Sequence, residues 1–442
     1  MALSDAERFP LIQDLSHLRS LQQDACAPSF NFRSGDRLQS HHLQQVTRYA
    51  ATIGKQPFWN DDTQPTWMES YLDWCARTVP FYKGRATTLS AQPTISRSDL
   101  QTTPWQFVSS DSNLDDLLVY QTSGTTGAPM DVIFDPVSQA CWIPQLESVL
   151  NRYGIRLSRG TGHTAIALIC DQQSTLTYAS LSAYLGGAGV IKVNLNPLEW
   201  KDPDHRKQYL EKLNPEILTG DPFAFLSLLA LAPRLSPKAL VSSAMKLTEG
   251  VRNKLESFFR CPVLDIYSLT ECRMIAVAEG THRHRAIRPE LFLEIFDPVH
   301  DIPLKPGERG ELVITGGNNP FLPLIRYRTG DFCSISIDNS IPYLIDLEAR
   351  APVAYYRADH TFVNYVDISR TMTELPLAGF SVHQHTDKSV TFKGWSSDAS
   401  IKPLVHEKLS TIFGTGVSVD VTILPFDSQR AKPVTYASDF KI

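Results

Sequence analysis

Between residues 117 and 266, short apolar runs alternate with amphipathic stretches of helical period, and this alternation constrains the fold more than any other feature. The apolar runs cover residues 164–170, 189–195, 216–218, 240–242 and 262–266, and the helical stretches 206–213, 223–231 and 248–259. Strands separated by helices predict a parallel sheet with helical crossovers, because a parallel neighbour is reached only by a return path over one face. Such sheets open a crevice at the carboxyl ends of their strands, so chemistry is expected on the loops there.

The flanking regions read differently. The first hundred residues are a mainly helical lead-in, with apolar positions at helical spacing over 67–74. Residues 291–296, 311–315 and 332–337 are strands separated by turn signals such as Lys305-Pro306-Gly307-Glu308 and Thr315-Gly316-Gly317, which predicts a more antiparallel β subdomain. Past Glu348 come β-like runs at 379–384 and 389–393, a helix-like run at 402–412 and a strand at 417–423. The expected architecture is therefore α/β plus α+β. An N-terminal domain over 1–348, opening with the 1–100 lead-in, precedes a small C-terminal α+β domain over 349–442.

With 42 Lys and Arg against 47 Asp and Glu, the net charge of −5 removes the footprint of a general nucleic-acid binder or a basic membrane-surface protein. The seven cysteines are scattered without a Cys-x-x-Cys pair, which fits buried free thiols in a reducing cytoplasm. No cationic and apolar leader is visible at the first residues, and no apolar run approaches the ~20 residues that span a bilayer. A cytoplasmic protein with no nucleic-acid or membrane partner is expected.

Three segments carry chemistry. Gln121-Thr122-Ser123-Gly124-Thr125-Thr126-Gly127-Ala128-Pro129 lies between two apolar runs, and its glycines and hydroxyls can gather backbone N–H and O–H donors around phosphate oxygens. A hairpin turn accounts for the same composition, and the absence of a Gly-Lys-Ser/Thr ending excludes a Walker loop. Asp265-Ile266-Tyr267-Ser268-Leu269-Thr270-Glu271 follows a strand, where a carboxylate can hold a hard cation such as Mg²⁺. Glu271 also reads as a solvated cap, and Tyr267 as a half-buried aromatic placed to cover an adenine face. In Pro323-Leu324-Ile325-Arg326-Tyr327-Arg328-Thr329-Gly330-Asp331, again between strands, Asp331 can accept two ribose hydroxyls or simply occupy a turn.

In this order and at these separations, the three segments resemble the adenylate-forming superfamily, and most of all its phenylacetate-CoA ligase branch. Val79-Pro80-Phe81-Tyr82, Glu294-Ile295-Phe296-Asp297-Pro298 and Gly307-Glu308-Arg309-Gly310-Glu311 add to the resemblance, which is good over about 75–350. It implies that Ser123, Gly124, Thr125, Thr126 and Gly127 cradle the ATP phosphates and that Glu271 holds Mg²⁺. It further implies that Thr270 contacts phosphate, that Tyr267 and Ser268 lie by the nucleotide, and that Asp331 binds the ribose. Ser242, Ser243 and Ala244 match the family's adenine-edge segment in place but not in letters. Arg350 corresponds to the hinge arginine, although its neighbours are Ala349 and Ala351-Pro352-Val353.

Two departures stand out. The lysine that many members carry just after the hydroxyl-rich loop is Ala128 or Met130 here, and the mobile lysine of the C-terminal domain has Lys432 as its nearest counterpart, with Lys441 second. Tyr178, Gly187 and Phe223 are the candidate walls of an apolar acid pocket. The resemblance implies ATP- and Mg²⁺-dependent activation of an aromatic or bulky apolar carboxylic acid as its acyl-adenylate. Transfer to a thiol follows, on CoA or on the phosphopantetheine of an acyl carrier protein. The alternatives are an amide- or acyl-protein-forming ligase and a non-catalytic nucleotide or aryl-acid binder. Homodimers are common in this branch.

Overall fold

The computed structural model describes residues 3–59, 64–121, 130–172, 174–348, 353–425 and 435–440. The chain gathers into two compact units, one made of 1–13, 36–156 and 266–351 and the other of 14–35, 157–265 and 352–442.

In the first unit, β1 (Leu118–Gln121) and β2 (Asp131–Phe134) form an antiparallel ribbon whose last pair, Gln121 opposite Asp131, flanks the hydroxyl-rich loop. After β2, Asp135 accepts from the Ser138 amide at 2.8 Å and caps helix Pro136–Ala140, which has proline in its first turn where an N–H would be unpaired anyway.

The second unit holds the expected parallel sheet. Its strands are β3 (Thr164–Cys170), β4 (Tyr178–Ser182), β5 (Ala188–Asn194), β6 (Ile217–Gly220), β7 (Ala239–Ser242) and the start of β8 (Val263–Leu269). They stand in the order β8-β7-β6-β3-β5-β4, parallel from β8 to β5, with β4 antiparallel at the edge. Helix Pro222–Leu231 starts where Asp221 accepts from the Ala224 amide, and helix Glu249–Phe259 where Thr248 accepts from Val251. Both begin just past the carboxyl end of a strand. The sequence pattern does not announce β4, whose small residues Ala179 and Ser180 alternate weakly, although burial against β5 makes it a strand.

From Ile266 onward the first unit is antiparallel, as expected. The remaining strands there are β9 (Arg273–Ala278), β10 (Arg283–Ala286), β11 (Leu291–Phe296), β12 (Gly310–Gly316), β13 (Leu324–Asp338) and β14 (Ile341–Glu348). Their order is β11-β12-β13-β14-β10-β9-β8. One expectation is corrected: Tyr327 to Asp331 do not form a connection between strands but lie inside the long β13, across from β12. Polar letters there suggest a turn, yet each polar group has a partner across the sheet. Arg326 pairs with Glu294 at 3.0 Å, Arg328 with Glu311 at 2.5 Å, and the Thr329 hydroxyl donates to the Leu312 carbonyl at 2.8 Å.

Residues 354–440 build their own core. β15 (Ala354–Tyr356) pairs with β16 (Phe362–Asn364), and β17 (Gly379–Gln384), β18 (Val390–Trp395), β19 (Val419–Leu424) and β20 (Tyr436–Ser438) form a sheet in the order β19-β18-β17-β20. Helices Tyr365–Thr373 and Lys402–Phe413 accompany it, and Ile368, Met372, Phe392, Leu409 and Phe413 are fully buried within it. Within the second unit this segment meets the parallel-sheet segment. Thr248 donates to the Leu377 carbonyl at 2.7 Å, and the Phe223 and Trp395 rings meet edge to face at 6.2 Å. Among the described residues no helix is long and apolar enough to cross a membrane.

Candidate active site

The turn from β8 to β9, Thr270-Glu271-Cys272, projects from a hairpin closed by Leu269 opposite Arg273. Glu271 is nearly buried, 7% exposed, and its Oε1 accepts the Tyr327 hydroxyl at 2.5 Å. Asp331, similarly covered, accepts the Tyr267 hydroxyl through Oδ2 at 2.6 Å. Two tyrosine–carboxylate bonds thus run in opposite senses between the β8 segment and β13, bringing the second and third sequence motifs together.

Burial, reinforced by the facing carboxylate, holds both phenols well above the usual tyrosine range. They therefore stay neutral donors. A carboxylate has about four lone-pair sites, and the Tyr327 phenol fills one of those of Glu271, which keeps acceptor capacity for a ligand.

The first motif is represented by its roots. Residues 122–129 lie outside the described part, so Ser123, Gly124, Thr125, Thr126 and Gly127 are not placed, and neither are Arg350, Lys432 and Lys441. On the ribbon that carries the loop, the Arg273 guanidinium sits 3.8 Å from the Phe134 ring centroid and 5.9 Å from that of Tyr120. Arg273 also bonds Gln139 and takes a left-handed φ of +64°. Arg273, the first residue of β9, therefore packs against the ribbon that carries the loop, over Phe134 at the end away from it. Met130, at the foot of the loop, is 1% exposed inside the apolar core, so its position offers no charge.

Arg288 secures the turn from behind. It is 2% exposed, donates to the Cys272 carbonyl and to Asn318 Oδ1 at 3.0 Å, and pairs with Glu290 at 2.8 Å. Tyr49 donates to the same Glu290 oxygen at 2.6 Å. Burial works against the Arg288 charge, but Glu290 and Tyr49 outweigh it and hold the guanidinium protonated. Sequence reading missed Arg288 and the role of Tyr327. Tyr327 stands inside a quoted motif, whereas nothing local marks Arg288.

The second unit holds the remaining candidates. Ser242 ends β7, is fully buried, and its Oγ has no hydrogen-bond partner among the described residues. Ser243 donates its amide to the Gly220 carbonyl at 3.0 Å, and Ala244 adopts a left-handed φ of +67°. Beside Ser242 in register stands Asp265, whose carboxyl burial pushes up to about 6 against the opposing pull of Arg252. Tyr178 pairs with Lys192 towards the carboxyl end of β5, and Phe223 follows the carboxyl end of β6. Gly187 lies at the other end of β5. There its backbone packs so closely on Thr161 that a Cβ would come 2.8 Å from that methyl. Tyr178 and Phe223 share the carboxyl side of the sheet, and Gly187 does not. Thr270 and Ser268 are half-buried. All seven cysteines are free thiols, and burial holds Cys75, Cys141 and Cys170 up at about 12.

A family model described as AMP-binding enzyme matches residues 82–319, more than half of the chain, and takes in both the hydroxyl-rich loop and the β8–β9 turn. The chain belongs to the AMP-binding enzyme family. Among its relatives, the phenylacetate-coenzyme A ligase of Escherichia coli (strain K12) is 26% identical over 228 residues, 48% of this chain and 50% of that protein. A 4-chlorobenzoate–CoA ligase of Arthrobacter sp is 25% identical over 240 residues, 49% of this chain and 44% of that protein. The chain thus spans about half the length of the curated relatives it matches. Among solved structures, 2-hydroxyisobutyryl-CoA ligase in its postadenylation state superimposes with a TM-score of 0.59. At 13% identity, with 90% of this chain and 89% of that one covered, the likeness concerns the fold.

Proposed function

We propose that the protein is an AMP-forming acid–thiol ligase that activates an aromatic or bulky apolar carboxylic acid with ATP and passes the acyl group to CoA or a carrier-protein phosphopantetheine. The observation that carries this reading is the crossed pair of bonds, Tyr327 to Glu271 and Tyr267 to Asp331, which ties the second motif, inside the AMP-binding match, to the third, just beyond its end. The names of the relatives, phenylacetate and 4-chlorobenzoate ligases, support an aromatic acid.

A carboxylate acylates poorly because its leaving group is oxide. In the proposed reaction its oxygen attacks the α-phosphorus of ATP and pyrophosphate departs; a thiol sulfur then attacks the acyl carbon, AMP leaves and the thiol proton is released. The first step is mainly positioning and charge neutralisation. Mg²⁺ would supply the neutralisation of the triphosphate. Glu271 fits that ion, being an oxygen donor held in place by Tyr327 and by the Arg288 clamp on the following carbonyl. Asp331, aligned by Tyr267, would accept the ribose hydroxyls, and Thr270 and Ser268 would lie along the nucleotide. Ser242, Ser243 and Ala244 would meet the adenine edge, with the orphan Ser242 hydroxyl ready to bond. Residues 123–127 would cradle the phosphates, Arg350 and Lys432 would contact the nucleotide, and Tyr178 and Phe223 would wall the acid pocket.

The test is pyrophosphate release from ATP and Mg²⁺ over a panel of aryl and alkyl acids, followed by addition of CoA or a phosphopantetheinylated carrier. Acid-dependent release, greatest with aryl acids, is expected. ATP binding without release from any acid would favour a non-catalytic binder, the reading that apolar Met130 at the loop foot supports.

A further inference from the structure

We propose that His383, His385 and Asp439 form a binding site for a borderline divalent ion such as Zn²⁺ or Co²⁺, on the sheet of residues 354–440 and independent of the ligase reading. Their ligand atoms lie within 4.8 Å of one another.

The backbone brings them together. β17 alternates buried and half-buried positions, and His383 falls on its half-buried face with Phe380 and Val382 beneath. His385, two residues on, follows on the same side, and the two imidazoles stack 4.5 Å apart at 29°. β20 runs parallel to β17 with Gln384 opposite Ser438, so Asp439 comes next to His385, its amide donating to the Gln384 carbonyl at 2.9 Å. The Asp439 carboxylate is fixed from two sides. Oδ1 meets His383 Nε2 at 2.8 Å, and Oδ2 accepts the Thr386 amide at 3.1 Å.

The donor chemistry suits the ion. Two imidazoles and a carboxylate form a mixed nitrogen and oxygen set, which selects Zn²⁺-like ions over Mg²⁺ or Ca²⁺. His385 Nε2 bonds the Thr391 hydroxyl at 2.8 Å, which orients the ring and turns Nδ1 into the ligating nitrogen, as an outer partner does in metal sites generally. Ligand bonds of about 2.0–2.2 Å need donors roughly 3–3.5 Å apart, so small side-chain rotations from the present spacing suffice. The ion takes the His383 Nε2 lone pair in place of the Asp439 hydrogen bond, the ring carrying its one proton on Nδ1. The bound ion would pin the chain after β20 to β17.

Tag-free, metal-stripped full-length protein is titrated with Zn²⁺ by calorimetry and with Co²⁺ by visible absorption, alongside His383→Ala, His385→Ala and Asp439→Asn. One equivalent per chain is expected, weakened at least about ten-fold in each variant. All three side chains are half-buried or exposed, so unchanged melting of the metal-free variants checks that they remain folded. Absence of binding, wild-type affinity in the histidine variants, or a thiolate-to-cobalt charge-transfer band assigning the ion to cysteines would overturn the proposal.

Discussion

In the proposed function, Glu271 and Asp331 would divide the work between metal and ribose. In the proposed reaction Glu271 would face the position where charge changes during adenylation, and loss of such a partner typically costs about 3–4 kcal/mol, so Glu271→Ala is expected to lower acid-dependent pyrophosphate release roughly 100-fold or more. Near-normal ATP–pyrophosphate exchange in that variant would remove Glu271 from the site. Tyr327→Phe keeps the ring but deletes the donor to a nearly buried carboxylate, a bond to a charged group worth about 1.5–3 kcal/mol. Its chemical denaturation midpoint should fall with the slope unchanged, and its pyrophosphate release should fall less than that of Glu271→Ala; equal midpoints for Tyr327→Phe and wild type would contradict the bond. The acids stand out in sequence because their motifs are local. Their pairing with tyrosines does not, because Tyr327 stands 56 residues from Glu271 and Tyr267 64 from Asp331, and only the sheet joins them.

Elements whose pattern is set by burial were read almost to the residue, and those set by polar partnership were not. Residues 164–170, 291–296 and 379–384 coincide with β3, β11 and β17 because β3 is an almost wholly buried apolar run and β11 and β17 bury alternate side chains. β13 was misread because Arg326, Arg328 and Thr329 find partners on other strands that composition cannot reveal. The end of β12 shows how tight this packing is. Gly316 has φ +109°, and a Cβ there would lie 2.3 Å from the Glu290 carbonyl and 2.7 Å from the Trp67 ring. Gly316→Ala should cost more than about 2 kcal/mol in urea unfolding, through strain and displacement together. On β8, opposite Ser242 at the end of β7, Asp265 governs a pH effect. Its folded value, about 6, lies above the ordinary carboxylate value of 3.8, so between those limits the folded state binds the extra proton and stability falls as pH rises. The loss is at most about 3 kcal/mol and is complete above the folded value. Asp265→Asn should flatten stability between pH 4 and 6 relative to wild type; an unchanged profile would mean that the carboxyl ionises normally.

At the scale of the whole molecule, residues 354–440 have a complete core yet are tied within the second unit to the segment carrying β7. The tie includes backbone proximity, polar bonds and the Phe223–Trp395 ring contact. Gly250, in the first turn of helix Glu249–Phe259, lies so close to Pro376 that a Cβ would come within 2.4 Å of its backbone N and Cα. Thr248 bonds the Leu377 carbonyl at 2.7 Å, and Lys246 bonds the Ser369 hydroxyl at 2.8 Å. Contacts of this kind lie between two separate cores, the arrangement needed if the C-terminal segment is to move during a two-step reaction. Gly250→Leu forces the segment off this surface while leaving the two cores their own side chains. Hydrogen exchange should then accelerate at the amides of 375–379 and around Thr248, with β9 to β14 in the first unit unchanged. Uniform acceleration across both units would mean that the glycine supports folding as a whole, and no acceleration would mean that the contact at Pro376 is not maintained in solution.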